Sequence, residues 1–293
     1  MSTLLAVDAL RDVRVGVSVS ESPDLGRLGL VETHFRLALG EIARALLLGG
    51  GLLAYGGHLK PEGYTPFLVQ EIDRWHRHDQ PLLVCLAWSV HRGMALSALE
   101  RFDRELRLLG KMVFLDPDGA EVDRAAGRDE APVPIEDLSE QRRALTGMRR
   151  YLQRHTSARV LLGGKRSGFQ GEIPGLMEEA LLAVEAEQPI YLAGGFGGVT
   201  ADIASALGVD DGSWLPPDAD AGPRDLRWED GYARLAAHAA LPHWPGLGNG
   251  LDDDENRRLA ATHRPSDIAA LVSLGLGRLR RDAGPGEGRL RGS

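Results

Sequence analysis

A glycine-rich, positively charged segment at residues 160–183, VLLGGKRSGFQGEIPGLMEEALLA, has the residue types that bind a phosphorylated ligand. An apolar run leads into Gly163 and Gly164, and residues without a Cβ let a backbone approach a ligand closely. Lys165 and Arg166 follow, and their charges would neutralise phosphate oxygens. The segment therefore predicts an anion-binding loop at the end of a strand.

Two adjacent glutamates, Glu178 and Glu179, follow this loop in a helix that Pro174 is suited to begin. The positive end of the helix dipole would face the same anion as the loop. One of the glutamates would accept hydrogen bonds from ribose hydroxyls. Neighbouring helical residues point about 100° apart, so we expect only one of the two to face the pocket fully.

Four predicted strands end in such glycine- or serine-rich segments, at residues 18–22, 54–65, 161–175 and 192–200. In an open α/β sheet the C-terminal strand ends share one edge, where backbone N–H groups and helix N-termini face a ligand phosphate. We therefore expect all four segments to line one crevice. The candidate ligand-binding residues in these segments are Ser18, Ser20, Glu21, Gly56, Gly57, Gly163, Gly164, Lys165, Arg166, Gly168, Gly194, Gly195, Gly197 and Gly198.

Short apolar runs alternate with longer amphipathic segments between residues 13 and 207. Runs such as VRVGVSVS, PLLVCLAW and ARVLLGG have strand character, and the segments between them have helical periodicity. This βαβ order predicts an α/β fold. Its sheet would be doubly wound, mostly parallel and Rossmann-like, with helices on both faces.

Two parts of the chain depart from this alternation. Residues 117–138 are polar and rich in proline, which predicts an excursion or a flexible loop. From residue 211 onward we predict helices only, with Asp252 and Ser266 as N-caps. We therefore expect an α/β domain over residues 1–210, a helical C-terminal extension over 211–282 and a disordered tail over 283–293.

Charge and composition exclude several classes of function. The formal net charge is -8, so the surface as a whole repels nucleic acid. Cys85 is the only cysteine, which excludes a disulfide framework and a cysteine zinc site within one chain. We find neither a secretory signal nor a run of about 18 apolar residues, and we expect a cytoplasmic protein with no membrane partner.

Several catalytic and cofactor motifs are missing from the sequence. There is no G-x-G-x-x-G with an acid about 20 residues on, and no G-x-x-x-x-G-K-[ST], which disfavours a Rossmann dehydrogenase and a P-loop NTPase. The nine histidines form no H-x-x-x-H pair. We therefore predict neither a metal site nor a bound cofactor.

The remaining motifs are VSVSES after the first strand, YGG at residues 55–57, the helix QRRALTGMRRYL, and LLGGKRSGFQGEIPGLMEE. Their order resembles that of the SLOG superfamily. This superfamily includes the "lonely guy" cytokinin-activating phosphoribohydrolases and the nucleotide-sensing domains of TRPM channels and Thoeris-type antiviral effectors. The resemblance covers about residues 14–207. It implies a nucleotide-binding domain, a role in antiviral defence and a homodimer or higher homo-oligomer.

The hydrolase branch of this superfamily has a loop of the form P-G-G-x-G-T-x-x-E, whose Glu acts on an N-glycosidic bond together with an Arg from the preceding helix. Here Leu162 stands at the Pro position, the loop is longer, and no Thr follows Gly168. The ligand-binding branch, with a Lys after Gly-Gly, is the better match. The nearest counterparts of the catalytic pair are Glu178 or Glu179 and Arg142, Arg143 or Arg149, of which we take Arg143 as catalytic and Arg149 as ligand-binding.

Three hypotheses of function follow. The first is a sensor or ligand-handling module that binds a nucleotide derivative, of the ADP-ribose or NAD type, at the strand C-termini. The second is an enzyme that cleaves the N-glycosidic bond of a nucleoside monophosphate in the same pocket. The third is a dimeric scaffold with a vestigial pocket, paired through the leucine-rich C-terminal helices.

Overall fold

The strands and helices alternate along the chain because apolar, β-branched runs are separated by amphipathic segments. The computed structural model describes residues 7–75, 80–216 and 225–282. The strands are β1 Arg14–Ser20, β2 Leu52–Gly56, β3 Leu82–Leu86, β4 Gly110–Leu115, β5 Glu121–Val122, β6 Ala158–Gly163 and β7 Ile190–Ala193. The helices are α1 Glu32–Leu48, α2 Tyr64–Trp75, α3 Trp88–Arg92, α4 Leu96–Leu106, α5 Leu138–Arg154, α6 Gly175–Glu185, α7 Gly198–Ala206, α8 Leu226–Ala239, α9 Asp253–Ala261 and α10 Pro265–Asp282.

All strands of the described residues belong to one sheet with the order β5-β4-β3-β2-β1-β6-β7. Every neighbouring pair is parallel except β4 and β5. From β1, in the interior of the sheet, the chain steps outward to β4 and the edge strand β5, then crosses back to β6 on the other side of β1. The predicted doubly wound, mostly parallel α/β fold is confirmed, and the direction of winding reverses between β1 and β6.

The alternation of side chains along each strand divides the core between the two faces of the sheet. Val17 of β1 belongs to one apolar cluster with Leu39 of α1 and Leu276 of α10. Leu161 of β6 belongs to another, with Met177 of α6 and Ile203 of α7. Strands buried on both faces require helices on both sides, so α5 to α8 cover one face and α1, α2, α4 and α10 the other.

The proline-rich excursion at residues 117–138 has backbone contacts that fix much of its course. Its first part contains β5, which runs antiparallel to the end of β4. The guanidinium of Arg92 in α3 donates to the carbonyls of Ala126 and Gly127, each at 3.2 Å. Arg128 donates to the carbonyl of His91 at 2.6 Å. The excursion is therefore attached to α3 near the C-terminal end of β4.

The three C-terminal helices are packed into the same layers as the helices of the sheet. α10 lies beside α1, α9 lies against β7, and α8 contacts α6 and α7. Asp252 caps α9 in a capping box with Glu255, as predicted. Ser266 lies inside α10, which begins one residue earlier. The expected division at residue 210 stays a prediction, and the tail expected over 283–293 lies outside the described residues.

None of the helices in the described residues combines the length and the apolar character that crossing a bilayer requires.

Candidate functional site

The C-terminal ends of β1 and β6 lie side by side at the point where the winding of the sheet reverses. Ser20 pairs with Gly163 in the register of the two strands, and the N–H of Gly164 donates to the carbonyl of Ser20 at 3.0 Å. Ligands of doubly wound sheets bind in the crevice outside the strand ends at such a reversal. The anion-binding loop predicted at residues 163–174 begins at this place.

A buried polar cluster lies beneath that loop, between the two strands and α6. Ser18 of β1 and Glu179 of α6 are hydrogen-bonded through the serine hydroxyl. Arg159 of β6 donates from Nη1 to Oε2 of Glu179 at 2.6 Å and to Oγ of Ser18 at 2.9 Å. All three residues are less than a tenth exposed. Glu179 thus has two partners on the central strands, which fixes its carboxylate under the strand ends.

The second glutamate of the pair lies at the adjoining surface of α5. Glu178 accepts hydrogen bonds from Thr146 and from the Nη1 of Arg149. The Nε of Arg149 lies 3.7 Å from Oε1 of Glu179. Arg149 therefore touches both glutamates, although adjacent helical residues point in different directions.

Charge is balanced within this cluster, which contains two arginines and two glutamates. Burial lowers the pKa of Arg159, and the adjacent carboxylate of Glu179 opposes that shift. In the described part of the chain, the Nε and Nη2 of Arg159 have no hydrogen-bond partner. A hydroxyl group both donates and accepts hydrogen bonds, so it can find partners for both in a net-neutral cluster of this kind.

The loop above the cluster is held in place by a residue of α8. Arg227 donates from Nη1 to the carbonyl of Gly171 at 2.7 Å, and its guanidinium lies 4.4 Å from the ring centroid of Phe169. A Cβ on Gly171 would lie 3.0 Å from Nη1 of Arg149, so the loop covers that side chain closely. The C-terminal helical segment thus takes part in forming the site.

One exposed ion pair lies at the rim of the site. The Nζ of Lys165 is 3.0 Å from a carboxylate oxygen of Glu21, and the two side chains are 45% and 67% exposed. Exposed pairs contribute little to stability, about 0–1 kcal/mol. Lys165 can therefore exchange this partner for an anion of a ligand.

Arg166, the next residue, is buried between two carboxylates of the protein. Its Nη1 lies 2.8 Å from Oδ1 of Asp24, and its Nη2 lies 2.8 Å from Oδ1 of Asp202. The indole of Trp228 donates to the other oxygen of Asp202 at 2.8 Å. Arg166 is 3% exposed, and this ionic network joins the loops after β1 and β6 to α7 and α8.

The glycines of the β6 and β7 loops lie against each other. Gly164 and Gly198 have φ angles of 109° and 67°, which L-residues with a side chain rarely adopt. A Cβ on Gly198 would lie 2.6 Å from the carbonyl oxygen of Gly164. The close approach of the two loops therefore requires glycine at Gly198.

The other predicted glycines have different neighbours. Gly56 lies against Met148 and Leu152 of α5, and Gly57 lies against the ring of Tyr55. The remaining predicted glycines are distributed between protein contacts and open space: Gly163 against Ser20, Gly194 and Gly195 against the backbone of Ala260 and Thr262, Gly197 against Asp24, and Gly168 in open space.

The structure thus brings together only part of the predicted set. Ser18, Glu178, Glu179 and Arg149 meet in one cluster, with Ser20, Lys165 and Glu21 above it. Arg143 lies on the exposed side of α5, where it pairs with Asp118, and is not brought to the glutamates. The ligand-binding and catalytic roles of all these residues stay predictions.

Three residues of the site were not foreseen from the sequence. Arg159 is a charged residue within the apolar strand ARVLLG, and that contrast is a signal for a buried partner. Asp24 and Arg227 lie in polar segments with no distinguishing pattern, so the sequence offered no comparable signal for them.

Two further features bear on the chemistry. Among residues 7–75, 80–216 and 225–282, no cluster of three or more His, Cys, Asp or Glu side chains is arranged to hold a metal ion. Burial raises the pKa of the Cys85 thiol to about 12, so this residue remains a neutral thiol at physiological pH.

A cavity of about 450 Å³ adjoins the ionic network, because Arg166 and Asp202 both contribute to its lining. It is lined by polar and aromatic side chains of α7 and α8, among them Asp202, Ser205, Trp228 and Tyr232. The lining includes neither Glu178 nor Glu179, the two glutamates of the polar cluster under the β6 loop.

The chain matches a known family over most of its length. The sequence model of the family described as SLOG cluster2 matches residues 9–259, which is well over half of the chain. The match continues past residue 207, where the resemblance was expected to end, and includes most of α9. No curated protein and no solved structure matches the chain.

Proposed function

The chain belongs to the SLOG cluster2 family, whose members have a nucleotide-related, Rossmann-like domain, and from this premise we propose that it binds a nucleotide derivative at the C-terminal ends of β1, β2 and β6. The ligand is of the ADP-ribose or NAD-derived type, and the protein acts as a sensor or ligand-handling module. The base and the ribose lie over the polar cluster, and an anionic group lies at the rim.

This proposal rests on one observation: Arg149 contacts both Glu178 and Glu179 directly below the glycine-rich loop. Buried charges are costly unless they are paired, and these three lie at the reversal point of the sheet, where ligands of such folds bind. Carboxylates accept hydrogen bonds from vicinal hydroxyls, so the pair of glutamates suits a ribose.

The position proposed for the anionic group of the ligand is based on Lys165. This residue follows the glycine pair directly, is nearly half exposed, and within the described residues forms its ion pair with an exposed carboxylate. A phosphate of the ligand would replace Glu21 at little cost, because the exposed pair is weak. Ligand affinity should therefore fall as the salt concentration rises.

A thermal-shift screen against ADP-ribose, NAD, AMP and CMP tests the proposal, with mass spectrometry of each mixture after incubation. Binding appears as a higher Tm that grows with ligand concentration, with the ligand recovered intact. No shift with any of these compounds, tested up to millimolar concentration, would contradict the proposal.

Matched variants locate the ligand within the protein. Arg149→Ala and Glu178→Gln should each weaken binding about tenfold or more, because each removes a charged hydrogen-bond partner. Arg150→Ala and Glu185→Gln change exposed residues on the same two helices and should leave the Kd unchanged. Equal affinities in all four variants would place the ligand elsewhere.

A second candidate function, hydrolysis of the N-glycosidic bond of a nucleoside monophosphate, is favoured by the contact between Arg149 and Glu178. A carboxylate beside the sugar would stabilise the positive charge that develops on the ribose, and the arginine would hold the phosphate. Release of free base from AMP or CMP, lost in Glu178→Gln and retained in Glu185→Gln, would support this candidate. Complete recovery of each monophosphate would count against it.

A further inference from the structure

The N-terminus of α7 is the second place at the strand edge where an anion is expected, because it follows the glycine-rich loop after β7. Its position is occupied by a side chain of the protein. The N–H of Gly198 donates to Oδ2 of Asp24 at 2.6 Å. Asp24 lies in the segment between β1 and α1 and is fully buried.

Two guanidinium groups complete the surroundings of this carboxylate. Oδ1 of Asp24 accepts hydrogen bonds from Nη1 of Arg166 at 2.8 Å and from Nε of Arg27 at 2.9 Å. A helix N-terminus together with two arginines is the set of partners that proteins use for phosphate and carboxylate ligands. The donors thus form an anion-binding site whose occupant is part of the chain.

The backbone of Gly197 approaches the carboxylate of Asp24 closely. A Cβ on Gly197 would lie 2.4 Å from Oδ2 of Asp24. Arg166 is also bound to Asp202 through both Nε and Nη2, each at 2.8 Å. A ligand phosphate that bound to the N–H of Gly198 and Nη1 of Arg166 would have to displace the carboxylate of Asp24, which is completely buried.

We infer that Asp24 is a specificity-determining residue, whose carboxylate closes the anion site at the N-terminus of α7 and restricts the anionic group of a ligand to the β6–α6 loop beside Lys165. The part of this inference that concerns the ligand rests on the proposed function. The occupied anion site rests on the contacts of Asp24 alone.

The protonation of Asp24 is consistent with its role as an internal anion. Burial by itself would raise the pKa of this carboxyl, but the hydrogen bonds from Arg166, Gly198 and Arg27 outweigh burial and hold the pKa below its usual range. Asp24 therefore stays ionised at neutral pH, as an occupant of an anion site must.

Chemical rescue of the variant Asp24→Ala tests the inference without any nucleotide. The substitution removes a carboxylate and leaves a space of the size of formate. We expect Asp24→Ala to have a lower Tm than the unchanged protein, and sodium formate to restore about half of the lost Tm or more through binding at the vacated site. Sodium chloride at the same ionic strength should restore much less.

Two further variants serve as controls for the rescue of Asp24→Ala by formate. Asp24→Asn keeps the shape of the side chain and fills the space, so its Tm should respond equally to formate and chloride. Asp254→Ala removes an exposed carboxylate, 89% accessible, and should respond as the unchanged protein does. Should Asp24→Ala be unfolded in chloride, recovery of folded protein in formate is the supporting result.

Equal effects of formate and chloride on Asp24→Ala would overturn the inference, as would a formate-specific stabilisation of Asp24→Asn. Because this assay uses only small ions, its result is independent of the nucleotide screen. A screen without hits would contradict the proposed function and leave the internal anion in place, whereas failed rescue would contradict the internal anion alone.

Discussion

Arg159 of β6 and Glu179 of α6 form an ion pair inside the protein, with 2.6 Å between Nη1 and Oε2. The arginine is 1% exposed, and the glutamate accepts a second hydrogen bond from Ser18. Removing Arg159 would leave Glu179 with the more distant Arg149, at 3.7 Å, as its cationic neighbour. A buried charge that is incompletely compensated costs more than the net contribution of the intact pair.

Arg159→Met should therefore lower the free energy of unfolding by about 3–5 kcal/mol, measured by urea denaturation at neutral pH. The exposed Arg150 of α5 provides the control, since Arg150→Met should change stability by no more than about 0.5 kcal/mol. The double variant Arg159→Met/Glu179→Met should be more stable than Arg159→Met alone. If Arg159→Met is as stable as the control, the ion pair does not have the role assigned here.

Arg227→Ala should release the loop above the polar cluster. The substitution removes the hydrogen bond to the carbonyl of Gly171 and the stacking on Phe169, so the amides of residues 166–171 should exchange with solvent about tenfold faster, corresponding to about 1.4 kcal/mol. Hydrogen exchange followed by mass spectrometry measures this change. Arg234→Ala, an exposed change on the same helix, should leave the loop as protected as before; equal protection in both variants would refute the attachment.

His91 should make stability depend on pH below neutrality. Burial lowers its pKa; the hydrogen bond with the carbonyl of Leu115 opposes that shift, and Arg128 and Arg92 add to it. The unfolded chain therefore takes up a proton near pH 6.5 that the folded protein does not. The stability contributed by neutral His91 is fully present above that pH and is lost as the pH falls toward the folded pKa.

We expect His91→Gln to lose less stability than the unchanged protein between about pH 7.5 and about pH 5.5, measured by urea denaturation at both values. Glutamine keeps a donor for the carbonyl of Leu115 but does not titrate. His243→Gln, at an exposed position, should behave as the unchanged protein. Identical losses in the His91 and His243 variants would exclude His91 as the source.

Gly198→Ala should be more destabilising than Gly208→Ala, although both glycines have φ near 70°. At Gly208 a Cβ meets no atom within 4 Å, so the cost is that of the backbone conformation alone, about 1–2 kcal/mol. At Gly198 the Cβ also collides with the carbonyl of Gly164, which adds about 1–3 kcal/mol. Comparing the two variants in denaturant isolates the contact between the loops, and equal losses would mean that the loops do not constrain each other.

The sequence predicted the sheet because its strands are long apolar runs with clear boundaries. It did not predict α3, which has five residues, or β5, which has two. Elements this short are not long enough to repeat a helical or an alternating pattern of apolar residues. Residues 117–138 were expected to form an excursion or a flexible loop, and their attachment through Arg92 and Arg128 depends on contacts with α3 that composition does not encode.

The sequence predicted the position of the candidate site better than it predicted which side chains contact each other there. Glycines after strands indicate the edge of the sheet, and a glutamate at the start of the next helix must lie near it. The contact between Ser18 and Glu179 joins residues 161 positions apart, and that between Arg166 and Asp24 joins residues 142 apart. Such pairs depend on the register of β1 against β6. Arg166 was therefore expected to bind a ligand, whereas in the folded chain its guanidinium binds carboxylates of the protein.

The two-residue strand β5 has a consequence for the behaviour of the protein at high concentration. A parallel sheet that ended at β4 would present a row of free backbone donors and acceptors to the same strand of another molecule. The antiparallel pairing of Phe114 with Val122 and of Leu115 with Glu121 occupies the end of that row, and β5 is itself too short and too acidic to template a further strand. The C-terminal end of this edge is thereby protected against the strand-by-strand addition that begins aggregation.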